Sequence, residues 1–344
     1  MPTPQTQVPP IGLGLIGAGR IGRVHAQNLA HRIPSAQLVA VSDIFEAAAR
    51  QCAADFDIPH AYTDHRPILS DDRIQAVLIC SSTDTHAPLI EEAAAAGKHI
   101  FCEKPIALSL EAIDRALEAV ERHGVKLQIG FNRRFDPGFR AARDAVAAGK
   151  IGTPHLVRIT SRDPAPPPIE YIKVSGGIFL DMTIHDFDMA RFLLGSEVEE
   201  VFAAAGVLVD PAIGEAGDVD TALITLRYAN GAIGSIDNSR RAVYGYDQRV
   251  EVFGAGGMVA VGNRTPHNAI LSNTEGVHAP LPLYFFLERY TEAYIAEMEA
   301  FIRAIQQDTP PPVTGIDGRI PVVMGLAAWK SYRENRPVKL SEIG

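Results

Sequence analysis

The chain has 344 residues, with 32 Lys and Arg against 41 Asp and Glu, a formal net charge of −9. That length exceeds the roughly 250 residues at which a single core stops growing, so about two domains are expected, and 47% hydrophobic residues exclude a chain disordered throughout. The acidic balance argues against nucleic acid as a partner, and no run of about 18 apolar residues is present to span a membrane.

Residues 1–10, MPTPQTQVPP, have neither a basic stretch nor an apolar one, so they are no signal peptide. Their prolines predict a disordered leader. Residues 11–131 then alternate strand and helix. Apolar runs at 11–17, 37–43, 76–82, 99–103 and 126–130 are separated by amphipathic or alanine-rich stretches such as 84–97 and 109–124. In the last of these, Leu110, Ile113, Leu117 and Val120 share a face, with Ser109 as N-cap and Gly124 just past the end. Short continuous apolar strands between helices predict a parallel sheet covered on both faces, a doubly wound α/β domain.

The pattern changes after residue 131. Helices are expected over 139–148 and 177–194, and strands over 155–163, 199–208, 221–228, 232–238, 249–253 and 258–261. Asn230-Gly231 marks a hairpin, so this second sheet, in a domain over 132–344, is expected to be mostly antiparallel. Two helices, 288–306 and 317–334, close the chain. Cys52, Cys80 and Cys102 are too scattered for a disulfide framework or a metal site and fit reduced thiols in a cytoplasmic protein.

Gly17-Ala18-Gly19-Arg20-Ile21-Gly22 reads GxGxxG between a strand and a helix. Gly17 would permit the tight turn, Gly19 the approach of backbone to a pyrophosphate, and Gly22 close helix–sheet packing. The helix N-terminus offers N–H groups and positive dipole to phosphate. Asp43, 21 residues after Gly22 at the end of the next strand, would accept ribose hydroxyls and repel a 2′-phosphate, which favours NAD over NADP. The overlapping match starting at Gly12 is a decoy, because it lies in the strand itself.

Two further segments carry chemistry. Glu103-Lys104-Pro105 follows a strand, at the end where open α/β sheets present residues to ligands. In a helix over 177–194, Asp181 and His185 would stand at i and i+4 on one face, with Asp188 three residues on. A carboxylate one turn from an imidazole can orient the ring and stabilise its charged form. No other clustered ligand supports a metal there.

IGAGRIGRVHAQNL at 16–29, GKHIFCEKP at 97–105, GFNRRFDPGF at 130–139 and SGGIFLDMTIHDFDMARFL at 175–193 resemble the Gfo/Idh/MocA oxidoreductases, and within them the inositol 2-dehydrogenase group. The resemblance implies an N-terminal Rossmann domain and a C-terminal α+β domain on a large open sheet. It implies Lys104, Asp181 and His185 as the catalytic set: His185 takes the hydroxyl proton, Lys104 holds the oxygen, and Asp181 binds a neighbouring hydroxyl. NAD would contact Gly17, Gly19, Arg20, Ile21, Gly22, Asp43, Ser81, Ser82, Thr83, His86, Glu103 and Lys104. Arg134, Asp163, Asp188, Tyr244 and Tyr290 are further candidates for a polyol pocket, with its many donors and acceptors. The proline-rich stretch 162–168 matches only loosely, so the inositol isomer stays open. An aldose dehydrogenase, and a glycosidase with transient oxidation by NAD, stay beside it as alternatives. The resemblance also implies a homotetramer.

Overall fold

The computed structural model describes residues 9–344. Positions 1–8 of the expected leader lie outside the described residues; Pro9 and Pro10 are exposed ahead of the first strand. Among the described residues two compact units are present: residues 9–132 with Tyr294–Arg319, and Arg133–Ala293 with Ile320–Gly344.

The first unit is built on six parallel strands, β1 (Ile11–Ile16), β2 (Ala36–Ser42), β3 (His60–Tyr62), β4 (Ala76–Ile79), β5 (His99–Glu103) and β6 (Leu127–Gly130), in the order β3-β2-β1-β4-β5-β6. This is a doubly wound Rossmann sheet. The order reverses beside β1, and there the sheet presents its ligand crevice. The helices Arg20–His31, Thr83–Ala95 and Leu110–His123 connect strands. Ser109 caps the last, its hydroxyl accepting from Ala112 N–H, and Gly124 closes it at φ +64°. Gly12 and Gly14 are glycines for packing: an added Cβ would lie 1.9 Å from the Arg73 carbonyl oxygen and 2.2 Å from Ile68 Cγ2.

The sequence division at residue 131 needs one correction. Met298, Phe301 and Ile302, from the helix Thr291–Gln306, are buried in the same core as Leu13, Leu15 and Phe101. Their three-and-four spacing identifies a buried face but not the sheet it serves, so the segment from Tyr294 to Arg319 belongs with the first unit.

The second unit carries β7 (Pro154–Arg162), β8 (Val198–Gly206), β9 (Thr221–Tyr228), β10 (Ile233–Ser239), β11 (Asp247–Gly254) and β12 (Gly257–Val261). A small hairpin, β13 (Leu271–Asn273) and β14 (Gly276–His278), stands apart, and β15 (Val338–Lys339) completes the main sheet. The order is β12-β11-β7-β10-β9-β8-β15, antiparallel except for the parallel β7–β10 pair. Alternation sends Ala222, Ile224, Leu226 and Tyr228 of β9 inward and leaves Leu223 exposed.

The helix expected over 177–194 is broken. It runs Ile178–Asp181 and Ile184–Leu194, and the bond register slips at the join: Thr183 N–H donates to Ile178 C=O (2.8 Å) and His185 N–H to Met182 C=O (3.3 Å). The buried Thr183 hydroxyl donates to Asn238 Oδ1 of β10 (2.6 Å), which ties the join to the sheet. Asp181 and His185 therefore do not share an unbroken helical turn.

The Phe301 ring is fully buried in the first unit's core. Phe301→Ala is expected to cost about 3–5 kcal/mol, read as an earlier unfolding transition of the first unit in urea. An unchanged transition would contradict the assignment of this helix to that core.

Candidate active site

The glycine loop after β1 shows a separate cause at each position. Gly17 adopts φ +100°, and a Cβ there would lie 2.6 Å from the backbone of Cys80 and Ser81. A Cβ on Gly22 would lie 2.0 Å from the Gly17 carbonyl oxygen, so helix and loop approach only through glycine. Gly19 differs: its extended backbone (φ −70°, ψ −168°) suits any residue, and a Cβ would meet nothing within 4 Å. The protein's own packing does not require glycine there. A ligand approaching the loop would, and Gly19 is also the N-cap of the helix Arg20–His31, where phosphate is favoured. Asp43, just past β2, accepts from Ala18 N–H (2.8 Å) and Phe45 N–H (2.9 Å). Its carboxylate is thereby fixed against the loop, with exposed Ile44 and Phe45 beside it. These residues fit a dinucleotide.

Ser82 stands at the N-terminal boundary of the helix Thr83–Ala95 without a side-chain capping bond, and the Ser81 and Thr85 hydroxyls lie 2.6 Å apart. His86 is buried, with Nδ1 2.8 Å from the Pro105 carbonyl oxygen and Nε2 3.1 Å from that of Ser81. Burial pushes its imidazole below the ordinary histidine range. The ring braces two backbone segments here. Glu103 turns its carboxylate to His25, 2.7 Å away. Lys104, half-buried, precedes a cis bond to Pro105.

In the second unit, Gly177 (φ +77°) starts the short helix that ends at Asp181; a Cβ there would lie 2.7 Å from Asp218 Oδ1 and 2.6 Å from Trp329. Asp218 accepts from Ile178 N–H (2.9 Å). Arg240, 1% exposed, reaches Asp181 Oδ2 and Asp218 Oδ2, each at 3.3 Å, while Tyr171 donates its hydroxyl to Asp181 Oδ1 (2.8 Å). Asp163 keeps some exposed surface among these charges. Burial pushes its carboxyl up to about 6; Arg240 and Arg133 oppose the rise, and Asp181 and Asp186 add to it.

The other predicted residues divide. Arg134 is committed to Asp188 by a two-pronged pair (2.6 and 2.9 Å) on the helix that bears His185. Tyr244 accepts from Arg162 (3.0 Å) and donates to Asp247 (2.6 Å). Tyr290 is buried, its ring against Arg289 and Tyr246 and its hydroxyl donating to Gln248 Oε1 at 3.5 Å. Arg240, Asp218, Tyr171 and the buried pair Arg133–Asp186 (2.6 Å) were not found by sequence reasoning. The carboxylates that Arg133 and Arg240 meet are distant in sequence, so no local spacing marks these residues.

Residues 11–131 match the family model "Oxidoreductase family, NAD-binding Rossmann fold", and residues 139–260 match the "GFO/IDH/MocA C-terminal domain". The chain belongs to the Gfo/Idh/MocA oxidoreductase family. Its cofactor is NAD, and its first unit is the family's NAD-binding domain. This family member is 52% identical to the myo-inositol 2-dehydrogenase of Thermotoga maritima over 96% of this chain and 99% of that protein. A crystal structure of a probable dehydrogenase from Thermotoga maritima superposes with a TM-score of 0.96 at 51% identity, covering 97% of this chain and 100% of that one. The scyllo-inositol dehydrogenase of Lactobacillus casei, solved with bound NAD(H) and scyllo-inositol, gives a TM-score of 0.90 at 32% identity over 96% and 99% of the two chains. No helix among the described residues is long and apolar enough to cross a membrane.

Gly19→Ala separates ligand from packing. Since a Cβ meets no protein atom within 4 Å, the variant is expected to keep the parent melting temperature while NAD affinity falls by about tenfold or more (~1.4 kcal/mol). Calorimetric titration with NAD checks this; equal affinity would mean that the pyrophosphate does not approach Gly19.

Proposed function

We propose that the protein oxidises a ring hydroxyl of an inositol to the ketone, with myo-inositol ahead of scyllo-inositol. The observation that carries the reading is the polar set around Asp163, namely Asp181, Arg240 and Arg133, beside the helix bearing His185. A cyclitol presents a hydroxyl at every ring carbon, and such a set of alternating acceptors and donors suits it. The 52% identity to a myo-inositol enzyme, against 41% to a scyllo-inositol 2-dehydrogenase of Bacillus subtilis, supports the order of substrates.

Bound NAD supplies a hydride acceptor at its nicotinamide ring. The chain's own residues manage the proton and the developing charge. His185 takes the proton from the substrate hydroxyl as general base. Lys104 donates to that oxygen and stabilises its negative charge as the carbon–hydrogen bond breaks. Asp181, held from both sides by Tyr171 and Arg240, accepts from a neighbouring hydroxyl and fixes the ring's orientation. Asp163 accepts from a further hydroxyl. Gly17, Gly19, Arg20, Ile21 and Gly22 hold the pyrophosphate, and Asp43 the ribose.

Self-association belongs to the same reading. Register places Ile233 beside Leu156, Leu156 beside Phe253, and Phe253 beside Met258, an exposed apolar row across β10, β7, β11 and β12. Such a row supports pairing of sheet faces in a homotetramer. Phe253→Asp is expected to give a smaller species in light scattering, whereas a parent chain already monomeric would end this part of the reading.

The deciding assay follows NADH absorbance with NAD or NADP against myo-inositol, scyllo-inositol, chiro-inositols and glucose. NADH from myo-inositol is expected first; silence across the panel with NAD bound would overturn the activity. Lys104→Ala should bind NAD normally and lose turnover by about 100-fold or more. The Asp163 carboxylate is present above about pH 6 and protonated below it. The KM for inositol should therefore rise as pH falls through that value, and Asp163→Asn should flatten this limb of the profile.

A further inference from the structure

Beneath the Rossmann sheet's ligand edge lies a buried acidic cluster with no role in the reaction proposed above. His25 comes from the helix Arg20–His31, Glu103 ends β5, and Glu297 comes from the helix Thr291–Gln306. Their nitrogen and oxygen atoms all lie within 4.8 Å of one another. His25 Nε2 meets Glu103 Oε1 at 2.7 Å. Glu297 is fully buried, and neither of its carboxyl oxygens has a hydrogen-bond partner. The neighbouring Gln128 of β6 donates its amide to the Glu297 backbone carbonyl (2.8 Å) and not to its side chain.

A carboxylate in that position would lack any donor and would face a second carboxylate, an arrangement that burial makes costly. A carboxylic acid there supplies a donor. Glu103 stands opposite Gly130 of β6, and the absence of a side chain at Gly130 gives its carboxylate room: a Cβ would lie 3.0 Å from Oε2. Glu103 is bonded directly to Lys104 in the chain, so whatever fixes the Glu103 side chain fixes the backbone from which Lys104 projects.

We propose that Glu297 is a neutral carboxylic acid that donates its proton to Glu103 and, through Glu103, positions Lys104. It is a positioning residue with no contact to substrate. The titratable groups around it are His25 from the first helix, Cys80 after β4, Cys102 and Glu103 of β5, and Tyr294 of its own helix. Burial raises the Glu297 carboxyl well above the usual range, with the Glu103 charge adding to the rise, which agrees with the geometry. Cys80 and Cys102 are pushed up as thiols by the same burial, so the site holds no competing thiolate.

The kinetic part rests on Lys104 acting as proposed above; the spectroscopic part does not. An infrared absorption spectrum of the full chain at about pH 8 is expected to show a carboxylic-acid carbonyl band that is absent from Glu297→Gln. Glu297→Gln, whose amide still donates, should keep a kcat near the parent. Glu297→Leu, which cannot donate, should lose up to about 100-fold in kcat with NAD affinity unchanged. A spectrum without the band, a band that survives in Glu297→Gln, parental kcat in Glu297→Leu, or activity removed by a chelator would each overturn the proposal. If Glu297→Leu does not fold, the band and the Gln variant decide. If no inositol is oxidised, the activity reading fails and the band still judges Glu297.

Discussion

The second unit depends on how it holds charge away from water. Arg133 and Asp186 are both buried and meet at 2.6 Å, and Asp186 also accepts from Asn238 of β10 (2.9 Å). An isolated charge in that place would be very costly, and breaking such a pair from one side costs about 3–5 kcal/mol. The pair therefore fixes one arrangement. With Asn238 it ties the helix that bears His185 to the central strands of the sheet, while Arg134–Asp188 joins the same helix to the turn Asn132–Phe135. Arg240 does the same for the segment ending at Asp181, through Asp218. Burial pushes the Asp186 carboxyl up, and the Arg133 guanidinium opposes it.

Rigid polar brackets of this kind suit a site that must recognise hydroxyl groups. A hydroxyl both donates and accepts, so its position is defined only if the protein's donors and acceptors do not turn to each other. The bonds that Tyr171 and Arg240 make to Asp181 leave its oxygens oriented before any ligand arrives, which is preorganisation in the sense of lower reorganisation on binding.

Much of the first unit was legible in sequence because its signals are local. The glycine spacing at 17–22, the cap at Ser109 and the left-handed Gly124 are each marked by residues a few positions apart, although Gly17 also meets the distant backbone of Cys80 and Ser81. The mostly antiparallel second sheet was likewise legible from alternation and the Asn230-Gly231 turn. What escaped was nonlocal. The break at Met182–Thr183 is set by a hydroxyl reaching Asn238, 55 positions away. Arg134 and Asp188 satisfy each other across 54 positions, and spacing alone could not reveal that. The membership of residues 294–319 depended on which sheet an apolar helix face would meet, and periodicity gives the face without its destination.

That last feature bears on how the chain is made. The first unit opens the sequence, yet Met298, Phe301 and Ile302 in its core are synthesised after most of the second unit. Emerging from a ribosome, the six-stranded sheet would wait with an apolar flank open until nearly the end of translation. Domains usually fold as units in order of emergence, and exposed apolar surface in the interval invites aggregation. A fragment cut at residue 131 would hold that interval open permanently, so the nucleotide-binding half of this protein is continuous in function but not in chain.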